Sequence, residues 1–386
     1  MDLIRINKKD YSAGDLVEGY SSLIWTERFQ PNGEFELHTQ DIEYTMSILP
    51  KRSFCSLMDS SEVMMVDDHN IQTNDLGVEE LTVTGRSLDM FLKNRIWTNA
   101  PYGKSVAMAK KYSIREAVEV LVWNSIANGT GNDRIKTSAS YPAANQLPNV
   151  IVTDSVPPSS DGPAKTRSMQ NGEVYDQMMT FLKAGKLGIR IIRPNNGKGR
   201  RVDVASDGTH STTHLNGITD LRFDIYKGRD LSDKVVFTVK LDDIDEAEYL
   251  FSDATLKTGI FVDGDPRDHY YTDPDVIAGS NTGWNRFDGY ADGGSKEDGE
   301  TADDFEEGLE DLGLRSLRQG RSVNAVSGKL ALDVNFLYNR DYRLGDIVKL
   351  QGKYGAADKK YVTEFVRTKD ENGISGYPTL SDTLSS

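Results

Sequence analysis

The chain has 386 residues, a formal net charge of −15 and 37% hydrophobic residues. This length predicts two to four domains with hydrophobic cores of their own, and no apolar run reaches the roughly 18 residues that a membrane-spanning helix needs. The first residues lack a basic region followed by an apolar one, so we expect no secretory signal and synthesis in the cytoplasm.

The negative charge is concentrated in one segment. Residues 288–311 contain eleven acidic residues and a single basic one, Lys296. The nearest basic group consists of Lys183, Lys186, Arg190, Arg193, Lys198, Arg200 and Arg201. Nucleic-acid binding needs densely clustered Lys and Arg that neutralise phosphates, whereas this group spreads over a predicted helix end, a strand and a Gly-rich turn. We therefore expect a solvated face and no specific nucleic-acid binding.

A strand-rich pattern occurs twice, once near each end of the chain. The first copy has strands at 3–7, after Gly33, at 54–58 and at 63–67. The second copy has strands at 221–225, after Gly328, at 346–350 and at 361–366. This repeat predicts a mainly β protein with α+β insertions, built on two similar antiparallel β-barrels.

Between the two copies the pattern becomes helical. Ser113 and Glu116 form a capping box, in which each side chain binds an orphan backbone amide, and they open a predicted helix. Residues 128–170 are loop-like. A helix over 173–186 and a strand over 187–192 follow. We expect a small α/β insertion with a long loop.

The second copy is itself interrupted. After a strand at 235–239, residues 245–321 form a second predicted insertion with a charged helix from Ala302 to about Arg318. Acidic residues lead this helix and basic residues end it, which suits the helix dipole. The predicted domains are a first barrel at 1–112, an α/β insertion with a long loop at 113–215, a second barrel at 216–244 and 322–386, and an acidic α/β insertion at 245–321.

Two residue groups have the types that bind metals. Asp263, Asp265 and Asp268 lie on one short segment, as the carboxylates of a calcium loop do, but they lack the alternating ligands and the terminal Glu of an EF-hand. His210 and His214 have a metal-ligand spacing without a helical pattern that would place both on one face. We expect a structural turn at the aspartates, and no metal or cofactor.

The sequence contains no recognisable catalytic constellation. The single cysteine, Cys55, excludes an internal disulfide framework, and it lies in an apolar strand, where a buried hydrophobe is expected rather than a nucleophile. No G-x-S-x-G nucleophile motif occurs. Carboxylate pairs for glycoside cleavage stay open, because sixty acidic residues always offer some pair at a suitable distance. We predict that the chain is not an enzyme.

Two passages resemble a known family. One is VTGRSLDMFL at 83–92; the other is DYRLGDIV at 341–348, followed by Tyr354-Gly355 and by VTE at 362–364. They resemble the minor tail proteins, or tail-hub proteins, of bacteriophages with long non-contractile tails. That family is similar in fold to the baseplate hub of contractile phages and to the amino-terminal part of VgrG spikes. The resemblance implies tail-tube-like barrels in a virion protein at the tail tip.

The same resemblance implies an assembly. We expect a homotrimer whose six barrels form a pseudo-hexameric ring that joins the tail tube to the tip and lines the DNA exit channel. The implied partners are the distal tail protein ring, the end of the tape-measure protein, and tail-tip or fibre proteins, with possible contact to the host envelope. DNA would pass through the lumen without specific binding, since an acidic lumen repels phosphates.

The residues that carry the resemblance have a structural interpretation. Gly33, Gly85, Gly328 and Gly345 are expected where the backbone turns without room for a Cβ. Asp346 is expected to accept local amide hydrogen bonds at a turn. We predict that these five residues are structural turns and not a binding or catalytic site.

A second function stays open from the sequence. Receptor-binding or carbohydrate-binding tail modules are also β-rich and acidic, and they present aromatic platforms. Trp284, Phe287 and Tyr290 in a Gly- and Asn-rich segment are the candidates for such a platform. A peptidoglycan hydrolase is a third alternative, but no catalytic region supports it.

Overall fold

The computed structural model describes residues 1–30, 32–73, 75–97, 113–126, 150–154, 172–193, 200–204, 210–214, 221–272, 282–296, 301–320, 323–330 and 335–381. The chain forms two compact units. Unit 1 comprises Met1–Asp243, Leu330–Lys349 and Lys359–Ser386, and unit 2 comprises Ile244–Lys329 and Leu350–Asp358. No helix in the described ranges is long and apolar enough to cross a membrane.

Strands dominate both units. In chain order they are β1 (Leu3–Ile6), β2 (Ala13–Val17), β3 (Tyr20–Arg28), β4 (Glu34–Thr39), β5 (Phe54–Leu57), β6 (Met64–Thr73), β7 (Glu79–Ser87), β8 (Ile96–Trp97), β9 (Val150–Asp154), β10 (Gly172–Glu173), β11 (Leu187–Ile192), β12 (Arg200–Val204), β13 (His210–His214), β14 (Leu221–Lys227), β15 (Val236–Thr238), β16 (Ile244–Ser252), β17 (Gly259–Asp265), β18 (His269–Tyr271), β19 (Asp288–Ser295), β20 (Val323–Leu330), β21 (Ile347–Gln351), β22 (Ala357–Asp370) and β23 (Gly373–Ser381). The α-helices are α1 (Ile42–Ile48), α2 (Ile114–Ile126), α3 (Val174–Gly185) and α4 (Ala302–Gln319), and 3₁₀ helices occupy Leu88–Asn94, Val239–Leu241 and Gly283–Asn285.

Strands from both ends of the chain share one sheet. Its order is β15-β21-β22-β3-β4-β7-β6-β5-β1-β2, and β23 pairs with β22. The join is the antiparallel pair of β22 and β3, in which Val366 lies opposite Thr26. Alternation explains the strands: in β4, Phe35 and Leu37 are buried while Glu36 between them is exposed. β4 therefore has one buried face and one face that is more exposed.

The predicted mainly β fold with helical insertions is confirmed, but the two-barrel arrangement is not. The predicted strands of the first copy share one sheet with β21 and β22 of the second copy, and the described strands do not close into a barrel. The predicted strand at 63–67 corresponds to the start of β6, which pairs with both β5 and β7. Alternating burial sets which face a strand buries, but it carries no information about which strand lies beside it.

A second correction concerns the strand that was predicted to open the second copy. β14 instead lies in the middle of a separate three-stranded sheet of unit 1, antiparallel to β11 and parallel to β9. β9 itself falls within residues 128–170, which were predicted to be a loop. Its β-branched run, Val150-Ile-Val-Thr, gains a partner only when β14 is beside it.

Helices α2 and α3 of unit 1 follow the sequence pattern closely. α2 begins at the predicted capping box: the Ser113 amide donates to Glu116 Oε2 at 2.9 Å, and the Glu116 amide donates to Ser113 Oγ at 3.3 Å. α3 and β11 match the predicted helix and strand. Residues 88–94 form a 3₁₀ helix. The apolar faces of these helices and the β9–β14–β11 sheet share one hydrophobic core.

Unit 2 contains a three-stranded sheet, ordered β18-β17-β19, and a separate pair of strands, β16 and β20. The predicted charged helix is confirmed as α4. One face of the three-stranded sheet packs on α4, and the shared core is made of Ile260, Val262, Phe305, Leu309 and Leu317. The four-part domain division stays a prediction. Several predicted features, including 331–334 after Gly328 and much of the 128–170 segment, lie outside the described residues.

Candidate functional site

The turn before β21 contains two of the residues on which the resemblance rests. Gly345 has φ +82°, in the left-handed region that favours glycine, and its amide donates to the Val362 carbonyl at 2.7 Å. A Cβ added there would collide with the ring of Phe29. Gly228, at the end of β14, lies so close that its own Cβ would meet the Gly345 carbonyl. Two glycines thus allow two backbone segments to touch.

Asp346 holds this crossing together. Its carboxylate accepts the Arg343 amide at 2.9 Å, the Arg229 amide at 2.8 Å and the Arg229 guanidinium at 2.5 Å. The Asp346 side chain is buried, and a buried carboxylate needs such partners because burial without them is costly. The sequence suggested the local Arg343 bond. It did not suggest Arg229, which joins the end of the β14 strand to the start of β21.

A second buried network lies where β3 meets β22. The Glu27 side chain is 4% exposed and that of Arg367 is 10% exposed, and their ion pair measures 2.6 Å. Glu27 also accepts bonds from Ser60 Oγ at 2.6 Å, Tyr338 Oη at 3.0 Å and Trp25 Nε1 at 3.2 Å. One carboxylate therefore binds four segments of the chain: β3, β22, the turn after β5 and the segment before β21.

Aromatic stacking extends this network. Tyr338 stacks on Phe365 with ring centroids 3.9 Å apart and planes 7° apart, and the Arg367 guanidinium lies 5.5 Å from the Tyr338 ring. Burial and the charge of Glu27 raise the pKa of Tyr338 well above its usual value. The phenol stays protonated and keeps donating its hydrogen bond.

Two further acids lie beside this network. Burial raises the pKa of Asp89 to about 6, although the Ser87 hydroxyl donates to it. Burial, followed by the charges of Glu27 and Asp89, raises the pKa of Glu62 well above its usual value. Glu27, Glu62 and Asp89 line one small cavity together with Gly33 and Ser87. Because these acids are enclosed by the strands, they are placed to support the fold rather than to meet a polymeric substrate.

The remaining predicted turn glycines have different settings. Gly33 lies just before β4, where its amide donates to Ser87 Oγ at 3.0 Å and a Cβ would meet the Thr26 carbonyl at 2.7 Å. Gly85 lies inside β7, opposite Phe35 and Val66, and not at a sharp turn. A Cβ there would collide with the Met65 carbonyl and the Phe35 ring.

Gly328 lies within β20 rather than at its start. For both Gly85 and Gly328, the tolerance of glycine for tight backbone conformations suggested a turn. At Gly85 the observed reason for glycine is instead the close approach of neighbouring groups across the sheet.

The candidate metal ligands and the cysteine have structural positions. Among the described residues, no group of three or more His, Cys, Asp or Glu could hold a metal ion. Asp263 and Asp265 lie on β17, and Asp263 accepts a bond from Tyr290 Oη at 2.8 Å. His210 and His214 lie at the two ends of the strand β13. Cys55 is buried in β5, and burial raises the pKa of its thiol, so it stays protonated and unreactive.

Strand alternation at β19 separates two residues of the predicted aromatic platform, Phe287 and Tyr290. Trp284 is 98% exposed, in the 3₁₀ turn before β19, and Tyr290 is exposed on β19. Phe287 comes one residue before β19 and out of phase with Tyr290, since successive strand residues point to opposite faces. The structure instead places Tyr290 beside Phe261, with ring centroids 6.3 Å apart.

Comparisons with known proteins agree with this fold. The sequence model of the family described as Siphovirus ReqiPepy6 Gp37-like protein matches residues 3–377. No curated protein sequence matches the chain significantly.

Three solved structures share the fold over nearly the whole chain. The 43 kDa tail protein of prophage MuSo2 from Shewanella oneidensis is 11% identical, with a TM-score of 0.56 over 98% of this chain and 97% of that chain. The tail protein from Neisseria meningitidis MC58 is 11% identical, with a TM-score of 0.54 over 99% and 96%. Prophage tail protein gp18 from Listeria monocytogenes EGD-e is 11% identical, with a TM-score of 0.53 over 100% and 96%. At this identity the likeness shows the fold.

Proposed function

We propose that this chain, which belongs to the Siphovirus ReqiPepy6 Gp37-like family of tail proteins, is a structural hub protein of the tail tip. The observation that carries the proposal is the likeness in fold to prophage tail proteins over the full length of both chains. The role is structural and not catalytic: the acids that lie together in unit 1 are buried and bonded within the fold.

The proposed assembly is a homotrimeric ring that joins the tail tube to the tip. Each chain contributes two strand groups, β1–β7 and β21–β23, which are locked together by the β3–β22 pair. Three copies would present six strand groups, as a ring that meets a six-fold tube requires, while keeping three-fold symmetry for the tip. Its neighbours would be the distal tail ring, the end of the tape-measure protein, and tip or fibre proteins.

The sheet edges suggest how the copies meet. β2 and β23 each pair with one strand among those described, and free edges of this kind invite pairing with another chain. We propose that β2 of one copy abuts β23 of the next copy. DNA would pass through the ring without specific binding, because the net charge of −15 repels phosphates.

The mass of the purified chain in solution tests the trimer. Native mass spectrometry is expected to show three times the 42.9 kDa of one chain. A cryo-EM map of the tail tip with one copy or six copies of the chain would contradict the proposal.

Engineered cysteines test the contact between copies. Leu16 on β2 and Ile374 on β23 are exposed, and Cys55 is buried. The double variant Leu16→Cys/Ile374→Cys should therefore form covalent trimers on mild oxidation, while each single variant should not. If the chain is a trimer by mass but the double variant never cross-links, the proposed contact between β2 and β23 is wrong and the proposed hub role is unaffected.

A receptor-binding tail module is the second candidate function. The observation that favours it is the almost complete exposure of Trp284 in unit 2, because a large aromatic side chain in water suggests a binding role. This candidate and the hub role are compatible, since they concern different units of the chain.

A further inference from the structure

Helix α4 covers one face of the three-stranded sheet of unit 2. Ile260 and Val262 of β17 point to α4 and are buried against Leu309 and its neighbours. Because successive strand residues point to opposite faces, Phe261 between them points away from the helix. The described residues place no second layer over that face, which we call the open face.

Strand register builds an aromatic row on the open face. Phe261 lies opposite Tyr270 of β18 on one side and opposite Tyr290 of β19 on the other. Directly opposed residues share a face, so the three rings form a row across the strands. Tyr270 is 38% exposed and Tyr290 is 66% exposed. Neighbouring strands lie about 4.8 Å apart, so the row spans roughly 10 Å, comparable to the length of a disaccharide.

Carboxylates fix the outer rings. Tyr290 Oη donates to Asp263 Oδ2 at 2.8 Å, and Tyr270 Oη donates to Asp288 Oδ1 at 2.6 Å. The Tyr270 ring also lies directly over Gly259, where any side chain would collide with it. Both tyrosines are therefore held in place before any ligand arrives, which lowers the entropy lost on binding.

A cationic side chain, Arg286, lies beside the carboxylates of the open face. Arg286 forms an ion pair with Asp288 at 2.8 Å, and its guanidinium lies 5.4 Å from the Tyr270 ring. Asp292 is on the same face of β19 as Tyr290, two residues further along the strand. Trp284 lies only two residues before Arg286. The open face thus combines exposed aromatic rings with fixed acceptors and one donor group.

We propose that the open face of unit 2 binds a neutral oligosaccharide. Aromatic rings pack against the apolar C–H faces of sugar rings, while carboxylates and a guanidinium bond to sugar hydroxyls. The aspartates exclude polyanionic glycans by charge repulsion. A cationic peptide fits less well, because the charge of Asp288 is already paired with Arg286. Each carboxylate keeps further acceptor sites for sugar hydroxyls besides the bond from its tyrosine. The proposal does not depend on the trimeric ring.

The test uses the full-length chain and a glycan array of neutral bacterial-type oligosaccharides, followed by calorimetric titration of the glycan that binds best. Tyr290→Ala should weaken binding about tenfold or more, because it removes the most exposed ring of the row. Gly259→Leu should weaken it further by displacing Tyr270. Tyr377→Ala removes an exposed tyrosine of unit 1 and should leave the affinity unchanged. Circular dichroism and thermal melting of each variant confirm that it folds.

Three results would overturn the proposal. They are the absence of binding to every neutral glycan on the array, an unchanged affinity in Tyr290→Ala, and binding of nona-lysine that is lost in Tyr290→Ala without any glycan binding. Native mass measured on the same sample separates this inference from the proposed function. If the chain is a trimer and binds no glycan, only the proposed open-face site is wrong. If it is a monomer that binds glycan through Tyr290, only the proposed ring is wrong.

Discussion

Replacing Arg367 by methionine should destabilise unit 1 strongly. The substitution keeps most of the aliphatic packing and removes the guanidinium that donates to Glu27 at 2.6 Å. Breaking a buried ion pair by removing one partner costs about 3–5 kcal/mol, because the other charge stays buried. Ser60, Tyr338 and Trp25 still donate to Glu27, so we expect the lower end, about 3 kcal/mol.

The assay is urea unfolding followed by circular dichroism and tryptophan fluorescence, since Trp25 bonds directly to Glu27. The double variant Glu27→Gln/Arg367→Met should recover much of the loss, because no buried charge is left unpaired. Arg340→Met is the matched control: it removes an exposed pair with Asp341 and should leave the stability nearly unchanged. A loss below about 1 kcal/mol in Arg367→Met, or a double variant no more stable than the single one, would refute the reasoning.

Two further outcomes are expected from unit 1. Gly345→Ala should cost about 1–3 kcal/mol more than Gly355→Ala in urea unfolding, because both glycines have positive φ but only Gly345 meets a neighbour, the Phe29 ring; equal losses would show that backbone strain alone matters. The raised pKa of Asp89, about 6 against an ordinary 3.8, means that the unfolded state ionises first, so the wild type should lose stability as pH rises from about 4 to 6, by roughly 3 kcal/mol. Asp89→Asn should lack this component, and parallel stability–pH curves for the two proteins would count against it.

Helices and their caps could be predicted from the sequence, but the pairing of strands from distant segments could not. The Ser113–Glu116 capping box, α3 and α4 depend on residues within one helix, so their patterns are sufficient. β14 has the same alternation whether it pairs with β11 or with a barrel strand. The pattern indicated a strand there, but it carried no information about its neighbours.

The same limit applies to the buried polar residues. In the sequence, Glu27 has the pattern of an ordinary strand residue. Its burial as an acceptor depends on Arg367, which lies 340 positions later in the chain. Asp346 could be predicted to bond at its own turn, but its bond to Arg229 spans 117 positions. The open face of unit 2 was missed for a related reason: Phe261, Tyr270 and Tyr290 lie on three strands, and only their register brings them together.

The Glu27 network fixes the register in which β22 pairs with β3. β3 and β22 are neighbours in the sheet, yet most of the sequence, including nearly all of unit 2, lies between them. The alternation of buried and exposed residues alone allows the two strands to pair in more than one register. A slip of β22 by one residue would move Arg367 to the opposite face and leave Glu27 buried without its cation. The penalty for an unpaired buried charge therefore selects the observed register. The buried ion pair thus fixes how β3 and β22 pair at the point where the two ends of the chain meet.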